Sequence, residues 1–166
     1  IAVIDDGFDL SHPDLKHISP LFTFDTLSKT TDVLPQSDAD SHGTKVLGVI
    51  FGAHNGAGAN GIAVDADLIA IRQPDTWTSN TLLAFQLAKL SGADIINCSW
   101  HSRWLMQPVA ETVIDLSKYG RNGKGVPIVF SSGNDGKEIL PNEIEASISQ
   151  AIVVGAGDVN NQPMSY

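Results

Sequence analysis

Three apolar runs in this sequence end in residues able to do chemistry. Ile1–Ile4 leads into Asp5-Asp6-Gly7, the run ending at Cys98 leads into Ser99-Trp100-His101, and the run beginning at Ile128 leads into Ser131-Ser132-Gly133-Asn134. A fourth group, His42, stands at the start of a segment with helical periodicity. A carboxylate set against one imidazole nitrogen fixes the tautomer and leaves the other nitrogen as a general base. The start of a helix disfavours added positive charge on His42, whereas Asp5 stabilises the imidazolium once it has formed. An amide N–H such as that of Asn134, aimed at a developing oxyanion, contributes roughly 3–4 kcal/mol in acyl-transfer sites. Asp5, His42 and Asn134 therefore suggest acyl transfer with a serine or cysteine nucleophile. Each also has an ordinary role open to it: a turn former, a polar residue at a helix start, and a loop amide.

The elements that must position these groups alternate along the chain. Ile1–Ile4, Leu68–Ile71, Ile95–Cys98, Ile128–Ser131 and Ile152–Val154 are short apolar runs that read as strands buried on both faces of a parallel sheet. Between them, Gly43–Phe51 follows Ser41 as N-cap, Thr81–Leu90 stops at Gly92, and Val109–Tyr119 follows Pro108 and ends at Gly120. Strand and helix in alternation predict an α/β fold, a doubly wound and mostly parallel sheet with helices on both faces. Ligands and catalytic groups of such sheets collect at the carboxyl ends of the strands, which is where the residues above fall.

Composition narrows the partners. The 166 residues are 42% hydrophobic and 17% charged, enough apolar content for one ordinary core. Ten Lys plus Arg against 19 Asp plus Glu give a formal charge of -9, which argues against nucleic acid as partner. No apolar run approaches the roughly 20 residues that span a bilayer. Cys98 is the single cysteine, so no intrachain disulfide or multi-cysteine zinc site can form, and mid-strand it reads as an inert core thiol. Eight Asp lie in residues 1–40 against Lys16 and Lys29 only, either a solvated acidic face or, in part, cation ligands. The chain opens on an apolar run at Ile1 and stops at Tyr166 just after another, so it reads as part of a longer protein.

Four segments carry a family resemblance. The stretch from Ile1 through Asp5-Asp6-Gly7 to His12-Pro13-Asp14-Leu15 resembles the aspartate motif of the subtilase serine proteases, and Ser41-His42-Gly43-Thr44 resembles their histidine motif. Ser131-Ser132-Gly133-Asn134-Asp135-Gly136 resembles the segment with the oxyanion asparagine, and Asn97-Cys98-Ser99-Trp100 the strand on which substrate lies. The resemblance implies a subtilisin-like fold, truncated on its C-terminal side, with residues 1–166 an incomplete catalytic domain. It implies that Asp5 orients, His42 is the base and Asn134 binds the oxyanion, while Ser99, Trp100 and His101 hold a polypeptide as an extended strand. The family's nucleophile lies in a Gly-Thr-Ser motif that does not occur here; Ser99, Ser131, Ser132 and Ser165 do not replace it. The chain alone is therefore expected to be inactive, with apolar surface left for association. Family resemblance favours a secreted or periplasmic protein. A silent peptide-binding domain and an acyl transferase are the alternatives.

The resemblance also gives the glycine-rich stretch Gly52–Gly61 a meaning as a structural calcium loop. Asp14 and the Asn55 side chain would be ligands, with the carbonyls of Ala53, Ala57 and Ala59; the plain alternative is a tight loop without an ion. Asp6 departs from the family's usual Ser or Thr. Asp-Asp-Gly, Ser-Trp and Gly120-Arg121-Asn122-Gly123 resemble the kexin and furin branch, but His101-Ser102-Arg103-Trp104 lacks the acids that would receive dibasic substrates. His101 stands where the family prefers Gly, so its side chain is expected either to narrow the primary specificity pocket or to mark relaxed function. Trp77 and Trp104 read as semi-buried aromatics or substrate-subsite walls, His12 as part of a turn, and His17 and His54 lack zinc-like spacing.

Overall fold

In the computed structural model, which describes residues 1–164, six parallel strands form one sheet. They are β1 (Ala2–Asp5), β2 (Phe22–Asp25), β3 (Ile69–Arg72), β4 (Ile96–Cys98), β5 (Ile128–Ser131) and β6 (Ile152–Val154), in the order β2-β3-β1-β4-β5-β6. The helices are α1 (His42–Phe51), α2 (Thr78–Leu90) and α3 (Gln107–Gly123). Within α3, Gly120 leaves the helical region, and Arg121 and Asn122 take positive φ of 52° and 57°. The regular helix thus ends after Tyr119, as the sequence predicts.

Alternation along the central strands separates two cores. Ala2, Ile4, Ile69 and Ile71 pack with Ala84, Phe85, Val113 and Leu116 of α2 and α3 on one face. Val3 and Ala70 meet Leu47 and Phe51 of α1, with Phe8 and Leu68, on the other. A strand covered on both sides has no reason to alternate with polar residues, which explains the continuous apolar runs of β1 and β3. Two strands depart from expectation. β2 lies outside the predicted set: it is a half-buried edge strand whose Phe22 and Phe24 stack on one face instead of forming an apolar run. β6 is not buried on both faces but lies at the opposite edge, with Ile152 and Val154 half exposed.

The sheet also carries a buried ion network. Arg72, at the end of β3, stands in register with both Asp5 of β1 and Asp25 of β2. Its Nη1 donates to Asp25 Oδ2 at 2.8 Å and its Nη2 to Asp40 Oδ2 at 2.6 Å. Burial works against charge on both acids. It is outweighed at Asp25 by the amides of Leu27 and Ser28 with Arg72, and at Asp40 by Arg72 with Gln36 and Ser37, so both carboxyls sit below their ordinary range. The stability they contribute is present above the unfolded carboxylate range and is lost as pH falls through the lowered one. Arg72→Met leaves the acids unpaired and is expected to cost about 3–5 kcal/mol near neutral pH. Urea unfolding at pH 7 and pH 3 checks this: the deficit should shrink in acid, where protonated carboxyls need no cation, and an equal deficit at both would contradict it.

Candidate active site

Asp5 ends β1 at the point where the strand order turns back on itself, with β3 on one side and β4 on the other. Such a reversal leaves a crevice beyond the strand ends. The Asp5 carbonyl accepts the amide of Gln73 at 2.7 Å, which ties the end of β1 to the chain leaving β3. The Asp5 side chain is only 3% exposed, while that of His42 is 52% exposed. His42 Nδ1 lies 2.7 Å from Asp5 Oδ1, which also accepts the Asp6 amide at 2.9 Å. Opposite a carboxylate, Nδ1 carries the proton, leaving Nε2 as the acceptor. Burial pushes the Asp5 carboxyl above its ordinary range, against the opposing pull of His42 and the Asp6 amide. Asp5 Oδ2 is buried without a partner among the described residues.

The start of α1 is capped from a distance. Ser41 occupies the N-cap position expected for it, but its side chain makes no capping hydrogen bond. Asp6 does so instead: Oδ1 accepts the Gly43 amide at 2.7 Å and Oδ2 the His42 amide at 3.2 Å. An anion on these unpaired N–H groups also complements the helix dipole. Helix and strand approach so closely here that a Cβ on Gly43 would lie 2.5 Å from the Gly7 carbonyl and 2.9 Å from Asp5 Cβ. Glycine is the residue that allows His42 to reach Asp5.

Asp5, Asp6, His42, Ser99 and Trp100 line one cavity of about 300 Å³ with Gln73, Pro74, Asp75 and Thr76. Trp100 donates Nε1–H to the Ile4 carbonyl at 2.8 Å and meets Phe130 edge-on. His101 and Asn134 are not among the residues of that cavity. His101 lies against Gly133, and Asn134 is exposed on the turn after β5. Ser165 lies outside the described residues.

The chain matches the subtilase family over residues 1–166. It belongs to that family. It is 32% identical to a calcium-dependent protease of Trichormus variabilis over 94% of this chain and 26% of that protein. It is 29% identical to subtilisin E of Bacillus subtilis over 100% of this chain and 42% of that protein. The chain therefore spans less than half the length of these relatives. In fold it resembles a serine protease of Aeromonas sobria, with a TM-score of 0.78 at 20% identity, covering 99% of this chain and 33% of that one. It likewise resembles an epidermin leader peptide processing serine protease from Staphylococcus aureus, with a TM-score of 0.71 at 21% identity, covering 98% and 47%.

The glycine-rich loop of this subtilase chain gathers most of the residues expected to bind calcium. Asp14 Oδ1 accepts Asn55 Nδ2 at 3.0 Å, the Asp14 carbonyl accepts the Ala53 amide, and Asn55 Oδ1 accepts the Ala57 amide at 2.9 Å. Gly58, with φ +66°, lies against the Asp14 carboxylate, which would have to shift to admit a Cβ. The carbonyl of Ala59 faces Gly52. Among the other histidines, His12 Nδ1 accepts the Asp14 amide and His54 Nε2 meets the Gly61 carbonyl. Trp77 and Trp104 are exposed rather than semi-buried, with Arg103 stacked on Trp104.

Sequence reasoning missed Asp6 as the cap because it pointed to the adjacent hydroxyl. Ser41→Ala is expected to leave stability within about 0.5 kcal/mol, whereas Asp6→Ala should cost about 1 kcal/mol. Denaturant unfolding of both variants checks this, and a larger loss for Ser41→Ala would contradict the assignment.

Proposed function

We propose that this chain carries the base and oxyanion half of a serine endopeptidase, and that further chain supplies the nucleophile. The observation that supports this best is the 2.7 Å contact between buried Asp5 and His42, whose side chain is half exposed toward the cavity. In this reading His42 Nε2 takes the proton of a serine hydroxyl as its oxygen attacks a peptide carbonyl. Asp5 stabilises the imidazolium, and Asn134 donates to the oxyanion. The proton then passes to the leaving amine, and water, activated by the same imidazole, releases the acyl group. The substrate is a polypeptide lying along Ser99–His101. Without the serine, residues 1–166 do not complete this cycle. A secreted location follows from the family only, and no helix of the described residues is long and apolar enough to cross a membrane.

The test is fluorophosphonate labelling of the full-length protein with the labelled peptide mapped. A labelled serine beyond Tyr166, lost in His42→Ala, is the expected result. Asp5→Asn should lower kcat by about 10⁴-fold, because it leaves the imidazole in the wrong tautomer. A folded protein that takes no label would overturn the reading in favour of a silent peptide-binding domain.

Calcium is proposed for the Asp14 loop. One carboxylate, one amide oxygen and backbone carbonyls form an oxygen donor set suited to a hard cation. The cradle at Gly58 holds Asp14 against the loop, but ligation by Asn55 requires its amide to turn, since its nitrogen now faces Asp14. Thermal melts with added calcium and with chelator check this. A higher melting temperature with calcium, abolished by Asp14→Ala, is expected; coincident melts would contradict it.

A further inference from the structure

Residues 26–41 join β2 to α1 without helix or strand, and their far end delivers His42 to Asp5. The two ends of this segment are built alike. At the start, Asp25 Oδ1 accepts the amides of Leu27 and Ser28 at 2.7 and 3.1 Å. At the end, the Asp40 carboxylate accepts the Gln36 amide at 3.1 Å and the Ser37 hydroxyl at 3.0 Å. Such bonds shape two local turns, but they do not place either turn on the sheet.

Arg72 holds both turns. Its side chain is 4% exposed, and among the described residues it bonds only Asp25 and Asp40, one at each end of the segment. The two ends depend on it unequally. The Asp25 end is also held by the pairing of β2 with β3, and by Thr26, whose amide and hydroxyl donate to the Arg72 carbonyl at 2.9 and 3.1 Å. Residues 34–41 make no other hydrogen bond to β3 among the described residues, so Arg72 is what ties the Asp40 end to that strand. Arg72 is also the residue of β3 in register with Asp5. The backbone of His42 is therefore gripped from two sides: Asp6 takes its amide from the β1 side, and Arg72 holds the residue two positions earlier from the β3 side. A guanidinium suits this task because its N–H groups lie in one rigid plane and fix direction as well as distance.

We infer that Arg72 is a positioning residue for the general base: acting through Asp40, it sets the direction from which His42 meets Asp5. This rests on the endopeptidase reading. Misplacing a reacting group by about 1 Å can cost about 100-fold in rate. Loss of the tether should therefore slow the chemical step and leave substrate binding unchanged.

The experiment uses the full-length protein and a fluorogenic peptide copied from a site that the native protein cuts in casein. Arg72→Met and Asp40→Ala should each lower kcat by about tenfold or more with KM within about twofold, and the double variant should lose no more than the worse single one. Asp25→Ala loses the same kinds of bond; it should lose stability but keep kcat within about twofold. In protein labelled with ¹⁵N-histidine, the His42 Nδ1 proton should exchange faster with water in Arg72→Met and Asp40→Ala than in the native protein, and at the native rate in Asp25→Ala. Equal losses of kcat in the two alanine variants would make the network purely structural and overturn the inference, as would a native kcat in Arg72→Met or an effect confined to KM. Should Arg72→Met fail to fold, the two alanine variants decide. Should the native protein take no fluorophosphonate, the endopeptidase reading fails separately, and the Nδ1 exchange rates, which need no turnover, decide by the same comparison.

Discussion

The approach of the α1 N-terminus to the carboxyl end of β1 is the constraint on which the rest of the site depends. A helix start and a strand end meet within van der Waals distance because position 43 has no side chain. That approach alone would bring several unpaired amide N–H groups against a buried carboxylate. Asp6 accepts two of them, His42 turns its Nδ1 to Asp5, and the polar groups at this junction are largely matched. Asp5 Oδ2 has no partner among the described residues, and burial of that group raises its carboxyl pKa. A group held in a costly environment and contacting an exposed imidazole is what a site built for proton transfer requires.

Behind this junction stands a second layer of charge. Asp40, two residues before His42, is anchored to the sheet by Arg72, which also binds Asp25 across β2 and β3. The loop that delivers the histidine is thus tied to the same strand whose end lies beside Asp5. Part of the acidic bias of the first forty residues finds an explanation here beyond the two readings the sequence allowed. Asp6 caps a helix, Asp9 caps the turn at Ser11, and Asp25 and Asp40 share one arginine. These four of the eight acids serve local or buried structure, while Asp14 is the one proposed to bind a cation.

What could be read from the sequence follows from the range of the interactions involved. β1, β3, β4 and β5 were legible because a strand covered on both faces must be apolar throughout. β2 was not, since an edge strand needs only one apolar face and Phe22 and Phe24 supply it. The Asp5–His42 pair was legible through chemistry and through family motifs. The Asp6 cap was not, because its partners are more than thirty residues away and Ser41 offered the ordinary local answer. Arg72 left no signal: a single charge in an apolar run becomes informative only when its buried partners are known. His101 was flagged by its place, but its contact with Gly133 is a property of the fold.

The central claim is that Asp5 holds the Nδ1 proton of His42 and so frees the opposite nitrogen for chemistry. Proton NMR of the protein labelled with ¹⁵N-histidine tests it most directly. A far-downfield, slowly exchanging resonance on His42 Nδ1, present in the native protein and lost in Asp5→Ala, is the expected result. Absence of that proton, or its persistence without Asp5, would contradict the account.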